Sequence, residues 1–411
     1  MTWVTRALSV LALTAIAACT SLQPEPMLNK SAEIYSKAKA DCAAGGRDRA
    51  AAAASIIDAC TTVIVIKGAA AADVIVALKT RAGLLSANGR YDAAIKDYTQ
   101  LTRMNAKDFM AFRSLGDAHR RKGACDLAVQ DYDQALRLNP KLGDAREGRA
   151  DANLCLKNDA AAIADYEEAI KIGPPRADLY MNLGGIYVQS GDLPKAIEAY
   201  EGAMQLKPRD AGPYAARGGI YLSQAKYEPA LADFDKAIDL NPNNALAVYR
   251  RGLIHFFRHS FAEAIEDYSR AIQLDPRFAI AFDSRGSAYM REAEYEKAIE
   301  DFGRAIVLNP SFAAAFDHRG NVYSQKGYFE QAIQDYSQAM ELEPGLASAV
   351  ISRGNAYLSR GQYDLAIKDY DRALQLGPPN ERVLRDRRQA GIEKAKQDAA
   401  RGISIEGILT N

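Results

Sequence analysis

Four histidines are the side chains of this sequence best suited to acid–base or metal chemistry: His119, His255, His259 and His318. His255 and His259 lie four positions apart and could share one face of a helix, the minimum geometry for two metal ligands, although the repeat pattern puts His259 in a turn. The sequence contains no GxSxG, HExxH or phosphate-cradling glycine motif. We therefore predict that the protein is not an enzyme and binds no cofactor and no metal.

Five cysteines offer a second kind of chemistry. Apart from Cys19, they are Cys42, Cys60, Cys125 and Cys155, an even number that suggests two disulfides in an exported chain. Proximity in the sequence favours pairing Cys42 with Cys60 and Cys125 with Cys155, although four cysteines allow other pairings. Four buried thiols are the alternative. No CxxC spacing occurs, so neither a zinc site nor a thioredoxin-like site is indicated.

The elements that position these residues follow a period of 34 residues between positions 75 and 380. Each of the nine rows has an alanine, then an aromatic residue four positions later. The alanines are Ala94, Ala128, Ala162, Ala196, Ala230, Ala264, Ala298, Ala332 and Ala366. The aromatic residues are Tyr98, Tyr132, Tyr166, Tyr200, Phe234, Tyr268, Phe302, Tyr336 and Tyr370. A proline closes eight rows, and Ala106 replaces it in the first.

This spacing predicts two antiparallel helices in each row. Small and aromatic residues at i, i+4 and i+7 form one face of the second helix, and a turn such as that at Gly191 separates it from the first. The closing proline stops the second helix because it lacks an amide hydrogen. One such hairpin cannot bury its apolar face alone, whereas a stack of hairpins forms a continuous core.

The pattern resembles the tetratricopeptide repeat, as in Tyr180 to Tyr187 followed by Ala196, Tyr200 and Pro208. The resemblance implies an all-α fold, a right-handed superhelical α-solenoid whose concave groove is lined by first helices. The repeats are 75–108, 109–142, 143–176, 177–210, 211–244, 245–278, 279–312, 313–346 and 347–380. A degenerate helical pair at 29–74 precedes them. A capping helix at 381–401 follows them and is expected to use Val383, Leu384, Ile392 and Ala395. A tail at 402–411 ends the chain.

Two charged columns run through the repeats. Seven repeats carry an arginine in the first helix together with an aspartate just before the aromatic residue. The pairs are Arg81 with Asp97, Arg149 with Asp165, Arg217 with Asp233, Arg251 with Asp267, Arg285 with Asp301, Arg319 with Asp335 and Arg353 with Asp369. Repeat four has neither residue, and repeat two places Leu115 beside Asp131. We predict structural ion pairs within each hairpin, because repetition along a solenoid serves packing. His119 and His255 occupy a column that is otherwise mostly tyrosine, which favours a packing role over metal binding.

The concave groove is where we expect function to lie. Aromatic residues and arginine on an accessible face carry much of the binding energy in protein interfaces. The candidate groove residues are Arg113, Arg120, Arg121, Asn182, Gln189, Tyr249, Arg250, Leu253, Phe256, Phe257, Met290 and Arg291. Because adjacent residues lie about 100° apart on a helix, Phe256 and Phe257 cannot both point into one seam. At least one is expected to face the groove or a neighbouring repeat, and packing between repeats six and seven is the alternative.

The N-terminus has the pattern of an export signal. Arg6 precedes an apolar run from Ala7 to Ala18, which is shorter than the approximately 20 residues that a membrane-spanning helix needs. Ile16 to Cys19 resembles the lipobox of bacterial lipoproteins, which implies removal of residues 1–18, a lipid on Cys19 and a tether at 19–28. An ordinary secretory signal with a free Cys19 is the alternative. By analogy with enterobacterial sorting, Thr20 favours the outer membrane, facing the periplasm.

Composition limits the function further. Lys plus Arg and Asp plus Glu each number 52, so the chain lacks the excess positive charge typical of nucleic-acid binding. We expect a non-enzymatic scaffold at a bacterial envelope membrane that holds a protein or peptide segment in its groove. The alternative is a regulatory or localisation factor for a small peptide or peptidoglycan fragment. An enzyme within residues 29–74 is disfavoured because that segment is small and lacks histidine.

Overall fold

The computed structural model describes residues 25–43, 51–377 and 380–401, and the regular structure in these ranges is helical throughout. The chain divides into two compact units, one ending at Gly191 and one beginning at Asp192. The helices of the first unit are α1 Glu25–Ala43, α2 Ala51–Val65, α3 Ala71–Ala87, α4 Tyr91–Met104, α5 Phe109–Lys122, α6 Cys125–Leu138, α7 Gly143–Cys155, α8 Asp159–Ile172 and α9 Ala177–Ser190. Those of the second are α10 Leu193–Leu206, α11 Ala211–Ser223, α12 Tyr227–Leu240, α13 Ala245–Phe257, α14 Phe261–Leu274, α15 Ala279–Arg291, α16 Tyr295–Leu308, α17 Ala313–Gln325, α18 Phe329–Leu342, α19 Ala347–Ser359, α20 Tyr363–Leu376 and α21 Glu381–Ala400.

Within each unit, helices pack on the helices before and after them in the chain, which is the arrangement of an α-solenoid. The small residues of the repeat allow this close approach. In repeat six, Ala264, Tyr268 and Ala271 are fully buried. A Cβ atom on Gly252 would lie 2.9 Å from Cε1 of Tyr268, so only glycine fits beneath the ring without a shift. The predicted fold class is confirmed.

The arginine and aspartate columns form the expected ion pairs. In each of the seven repeats, Nε and Nη2 of the arginine donate to the two carboxylate oxygens of the aspartate at 2.5–2.9 Å. In six of them the third guanidinium nitrogen reaches the helix before the hairpin. Arg251, for example, donates to Asp235 at 2.7 Å as well as to Asp267. One side chain therefore links three helices.

Repeat two replaces this pair rather than losing it. Nδ1 of His119 lies 2.6 Å from Oδ2 of Asp131, one helical turn beyond the leucine at the arginine column. Burial raises the pKa of Asp131, although its hydrogen bond to His119 opposes that shift. His119 thus has a polar partner, where the sequence indicated only a packing substitute for tyrosine.

The turn between the two helices of each repeat contains one residue with positive φ. Five repeats use glycine there, as the sequence suggested for Gly191, but four do not. The exceptions are Lys157, Ala225, His259 and Ala293, with φ values from 54° to 61°. An L-residue is strained in this left-handed conformation by about 1–2 kcal/mol. Packing of the flanking helices therefore imposes the turn even where the residue type opposes it.

Second helices end without requiring the closing proline. Helix α4 ends at Met104 although repeat one has Ala106 in the proline column. The side chain of Asn105 accepts a hydrogen bond from the amide of Lys107 at 3.1 Å, a local turn that competes with helix continuation. The same contact follows α6, where Asn139 accepts from Lys141 at 3.2 Å.

The two ends of the array differ in detail from the expectation. Helix α1 begins at Glu25, inside the segment 19–28 that the sequence suggested as a tether. At the other end, α21 buries Val383 and Ala390, whereas Leu384 and Ile392 are 41% and 46% exposed and do not form the capping face. The signal at 1–18, Cys19 and the tail at 402–411 lie outside the described residues.

The four remaining cysteines lie at disulfide-bonding distance in the pairing that sequence proximity favours. Cys42 and Cys60 link α1 to α2, and Cys125 and Cys155 link α6 to α7, each with sulfur atoms 2.02 Å apart. None of the described helices combines the length and hydropathy of a membrane span.

Candidate binding surfaces on the first helices

A small apolar concavity in the second unit, the aromatic cleft, collects several of the predicted groove residues. It has a volume of about 320 Å³ and lies between α13, α15 and α17, with α14 at its base. Its lining residues are Leu253, Phe256, Phe257, Tyr268, Ser284, Ser287, Met290, Arg291 and His318. Phe257 is 51% exposed, and Phe256 beside it is half-buried. Both residues line the same cleft, and the ring of Phe257 also stacks on Tyr227 of repeat five, with centroids 6.2 Å apart.

Aromatic contacts hold the mouth of the cleft in shape. The ring of Phe256 lies edge-on to Phe257 and Phe261, with centroid distances of 6.2 and 5.4 Å. The guanidinium of Arg291 lies 5.3 Å from the centre of the Phe261 ring. Within the described part of the chain no carboxylate lies within ion-pairing distance of Arg291, which is exposed. The mouth thus combines rigid apolar surface with one uncompensated cation.

The polar groups of the cleft differ in how well they are satisfied. Nδ1 of His318 lies 2.8 Å from Oδ1 of Asp283. Burial lowers the pKa of His318, but the hydrogen bond and charge of Asp283 outweigh burial, so the pKa is raised overall. Tyr268 is fully buried, and its hydroxyl has no hydrogen-bond partner among the described residues. Burial raises the pKa of Tyr268, so the phenol stays protonated.

Two predicted residues of repeat six lie elsewhere. Tyr249 is only 7% exposed, and its ring packs 5.0 Å from that of Phe278, so it belongs to the core and not to the accessible face. Its hydroxyl lies 3.2 Å from Oγ of Ser284. Arg250 points towards repeat five, where its Nη1 would lie 3.0 Å from a Cβ atom on Gly219.

In the first unit, a second concavity of about 340 Å³, the charged wall, collects the predicted arginines. Its lining residues are Arg113, Asp117, Arg120, Arg121, Asp144, Glu147, Gly148, Asp151 and Arg176. Arg113 lies 3.2 Å from Asp117, and Arg120 lies 3.2 Å from Asp151. Arg121 is exposed, with no carboxylate partner among the residues described. Most of the charge on this wall is therefore neutralised within the protein.

Asn182 and Gln189 lie in a third hollow, of about 660 Å³, also in the first unit. Nδ2 of Asn182 donates to the hydroxyl of Tyr166 at 3.4 Å, and that hydroxyl donates in turn to Asp151. The hollow is more open and more polar in its lining than the aromatic cleft, so it offers fewer anchors for an apolar side chain.

The histidines do not assemble a metal site in the described ranges, where no three potential ligands come together. Nε2 of His255 lies 3.8 Å from Asp267, and His259 has a φ of 61° in the turn after α13. Four lining residues of the aromatic cleft were missed from the sequence: Tyr268, Ser284, Ser287 and His318. A signal for Tyr268 existed, because Leu253 occupies a column that holds aspartate or asparagine in four of the nine repeats.

Stacked helical hairpins that present side chains on their first helices define this chain as a helical-repeat interaction scaffold. The chain belongs to the tetratricopeptide-repeat family. Models described as tetratricopeptide repeats match residues 80–142, 125–177, 245–278 and 347–380. A further model, described as a TPR repeat, matches residues 184–224, 218–256, 286–327 and 320–358.

Several solved structures resemble parts of this chain. YrrB, a TPR protein with an unusual peptide-binding site, is 24% identical over 47% of this chain and 99% of its own, with a TM-score of 0.41. MamA is 30% identical over 39% of this chain and 93% of its own, with a TM-score of 0.37. PilF of Pseudomonas aeruginosa is 19% identical over 53% of this chain and 97% of its own, with a TM-score of 0.47. Among curated proteins no sequence matches.

Proposed function

We propose that this protein is a non-enzymatic scaffold, held at a bacterial envelope membrane by a lipid on Cys19, that holds a segment of a partner protein in the aromatic cleft. The observation that carries the binding site is the exposure of Phe257 beside Phe256, Met290 and the unpaired Arg291 in one concavity. Rigid aromatic side chains and arginine are the residue types that dominate binding energy in interfaces.

The cysteines support export. Disulfides persist in oxidising compartments such as the bacterial periplasm and are rare in the cytosol. Two cysteine pairs at bonding distance, Cys42 with Cys60 and Cys125 with Cys155, agree with the export signal of residues 1–18. Peptide mapping under non-reducing conditions should recover both linked pairs from envelope preparations, and free thiols would remove this support.

The binding site is tested by partner capture from detergent-solubilised envelopes after brief crosslinking in cells. Replacing Phe256 and Phe257 together by alanine should abolish capture while the circular dichroism spectrum is unchanged. The matched control replaces Arg120 and Arg121, which occupy the same two columns in repeat two, and should capture the partner normally. Capture that survives the phenylalanine double variant would move the site elsewhere. Binding of purified muropeptides would instead favour a ligand derived from peptidoglycan.

The tether is tested separately by feeding cells a palmitate analogue that can be tagged. The wild type should carry the label and fractionate with membranes, whereas a Cys19→Ser variant should do neither. An unlabelled wild type would refute the lipid anchor and leave the binding site untouched. A partner captured equally by both proteins would make the lipid dispensable for recognition.

A further inference from the structure

The unpartnered hydroxyl of Tyr268 stands out when the repeats are compared with one another. In four other repeats a tyrosine in this column donates to an acidic or amide side chain 15 positions earlier. The pairs are Tyr132 with Asp117 at 2.6 Å, Tyr166 with Asp151, Tyr336 with Asn321 at 2.9 Å and Tyr370 with Asn355 at 2.8 Å. In repeat six the acceptor column holds Leu253, which cannot accept a hydrogen bond.

Packing does not require this hydroxyl. Phe234 and Phe302 fill the same column in repeats five and seven and are fully buried. A phenylalanine at position 268 would therefore fit the same helix–helix contact. A buried hydroxyl without a partner is unfavourable to folding, because its hydrogen bonds to water are lost and not replaced.

The hydroxyl is close to the concave surface. In the other repeats it reaches the column of Leu253, and both Leu253 and Tyr268 line the aromatic cleft. Leu253 is half-buried and Tyr268 is fully buried, so a bound molecule can reach the hydroxyl only if the Leu253 side chain moves aside. Because the phenol is protonated, it offers one donor, and the complementary group is an acceptor such as a carbonyl oxygen.

The two ends of the aromatic cleft carry charges of opposite sign. Arg291 is the last residue of α15, and the carboxylate of Asp283 lies eight residues earlier, about 12 Å along the helix at 1.5 Å per residue. Asp317, whose Oδ1 has no hydrogen-bond partner in the described structure, adds negative charge beside His318. A bound carboxylate is therefore favoured at the Arg291 end and disfavoured at the Asp283 end.

We propose that the aromatic cleft binds an extended peptide segment in which a bulky apolar side chain is adjacent to an acidic one. The apolar side chain packs on Phe256, Phe257 and Met290. The acidic side chain pairs with Arg291, and a main-chain carbonyl of the segment accepts a hydrogen bond from Tyr268. This inference rests on the proposed function, since it specifies the segment that the same cleft holds.

The preference is measured with a synthetic peptide array in which two adjacent central positions vary through all residue types between Gly-Ser flanks. Protein that lacks only residues 1–18 should select peptides with Phe, Leu or Ile next to Asp or Glu. An Arg291→Gln variant should lose the preference for the acidic residue and keep the apolar one. A selection of basic or purely polar pairs would overturn the proposal.

Tyr268→Phe then separates recognition from structure. It should weaken binding of the selected peptide, labelled with fluorescein, by about fivefold to tenfold, the loss expected for one neutral hydrogen bond. Its thermal midpoint should equal or exceed that of the wild type, because the unsatisfied hydroxyl is gone. The matched control is Tyr336→Phe, which loses its bond to Asn321 and should lower the midpoint without changing the affinity.

Leu253→Asn provides a second variant, because it supplies Tyr268 with the acceptor that repeats eight and nine possess. Leu253→Asn should also weaken binding of the peptide, because the Tyr268 hydroxyl then donates to the introduced asparagine within the protein and not to the peptide. If both variants bind the selected peptide as tightly as the wild type, while the Phe256 and Phe257 double variant does not, the hydrogen bond is refuted and the binding site stands. If the double variant also retains its natural partner, the proposed function fails at this site, and the inference fails with it.

Discussion

In the first unit, Asp117 of the charged wall accepts a hydrogen bond from the buried Tyr132 at 2.6 Å and lies 3.2 Å from Arg113. In the second unit the same column of the repeat holds Leu253, and the hydroxyl of Tyr268 has no hydrogen-bond partner among the described residues. The next two concave columns hold Arg120 and Arg121 in one surface and Phe256 and Phe257 in the other. Two concavities of nearly equal volume, about 340 and 320 Å³, thus arise from the same kind of repeat, although repeat two has His119 and Asp131 in place of the arginine pair.

The difference shows how a repeat protein separates folding from recognition. Alanine, glycine and aromatic columns, together with the ion pairs, repeat in both regions and hold the hairpins. The concave columns vary freely because few of them are needed for that packing. The charged wall satisfies most of its charge internally and leaves little for a ligand. The aromatic cleft leaves an apolar surface, a cation and a hydroxyl donor unsatisfied, and a partner can supply the groups that complement them.

The prediction with the largest expected effect tests whether the arginine–aspartate pairs contribute equally to the stability of the two regions. Arg149→Ala and Arg251→Ala should each destabilise the protein by about 3 kcal/mol, because each removes the bidentate partner of a buried aspartate. What remains near each carboxylate is a more distant group, Arg146 at 4.0 Å from Asp165 and His255 at 3.8 Å from Asp267. Urea unfolding of the full chain, followed by circular dichroism, should show similar shifts of the affected transition for both. Arg360→Ala, which breaks an exposed pair with Glu330, should cost less than about 1 kcal/mol. Unequal losses for Arg149 and Arg251 would mean that the two frames are not equivalent.

The next prediction concerns a substitution that gives the charged wall the leucine found in the same column of the aromatic cleft. Asp117→Leu should destabilise the protein by about 2 kcal/mol, because it leaves the hydroxyl of Tyr132 buried without an acceptor. Adding Tyr132→Phe to that variant should recover part of the loss, giving a favourable coupling energy in a double-mutant cycle. The same tyrosine change at position 268 starts from a leucine neighbour and should cost nothing. Additive effects at 117 and 132 would refute the role assigned to this column.

Much of this frame could be predicted from the sequence, because its causes are local and recur. The spacing of Ala264, Tyr268 and Ala271 specifies a buried helix face in any repeat. The joint presence of Arg251 and Asp267, lost together in repeat four, predicts their ion pair. The alanine and aromatic columns recur in all nine repeats and the arginine–aspartate pair in seven, so each pattern is visible many times within one chain.

The site was harder to predict, because it depends on side-chain directions that the period does not specify. Tyr249 and Phe256 belong to the same helix and are both apolar, yet one is buried and the other lines the cleft. Their difference lies in their neighbours along the stack, because Tyr249 packs on Phe278 before α15, whereas Phe256 packs on Phe261 at the start of α14. His119 shows a recoverable error, since a residue four positions after the arginine column lies on the same helix face and can reach Asp131.

A smaller effect concerns pH. The ion pairs of the wall join arginine to carboxylates, whereas the cleft contains the pair of His318 with Asp283. Because the pKa of His318 is raised in the folded protein, its stabilisation is fully present below the unfolded value of about 6.5 and is lost as pH rises through the folded pKa. Asp317 also favours the protonated histidine, and burial opposes it.

Hydrogen exchange measured by mass spectrometry, corrected for the intrinsic rate, resolves this change by region. Between about pH 5.5 and about pH 8.5, protection should fall in α15 to α17 more than in α7 and α8, which contain no histidine. Helix α5 is left out of the comparison because it carries the pair of His119 with Asp131. The His318→Gln variant should show no such difference. Equal loss of protection in both regions, or a loss that persists in the variant, would contradict the assignment to His318.

The smallest effect lies in the turns that follow the first helices. The turn at the wall uses Gly123, with a φ of 87°, and the turn after α15 uses Ala293, with a φ of 58°. Gly123→Ala should destabilise the protein by about 1 kcal/mol, and Ala293→Gly should stabilise it by about 0.5–1 kcal/mol, because a Cβ atom is strained at positive φ. Nothing lies within 4 Å of a Cβ atom on Gly123, so the loss comes from the backbone alone. Thermal midpoints of the two single variants should therefore shift in opposite directions. Shifts of the same sign would mean that contacts around the turn outweigh backbone strain, and that the two surfaces differ in their frames as well as in their linings.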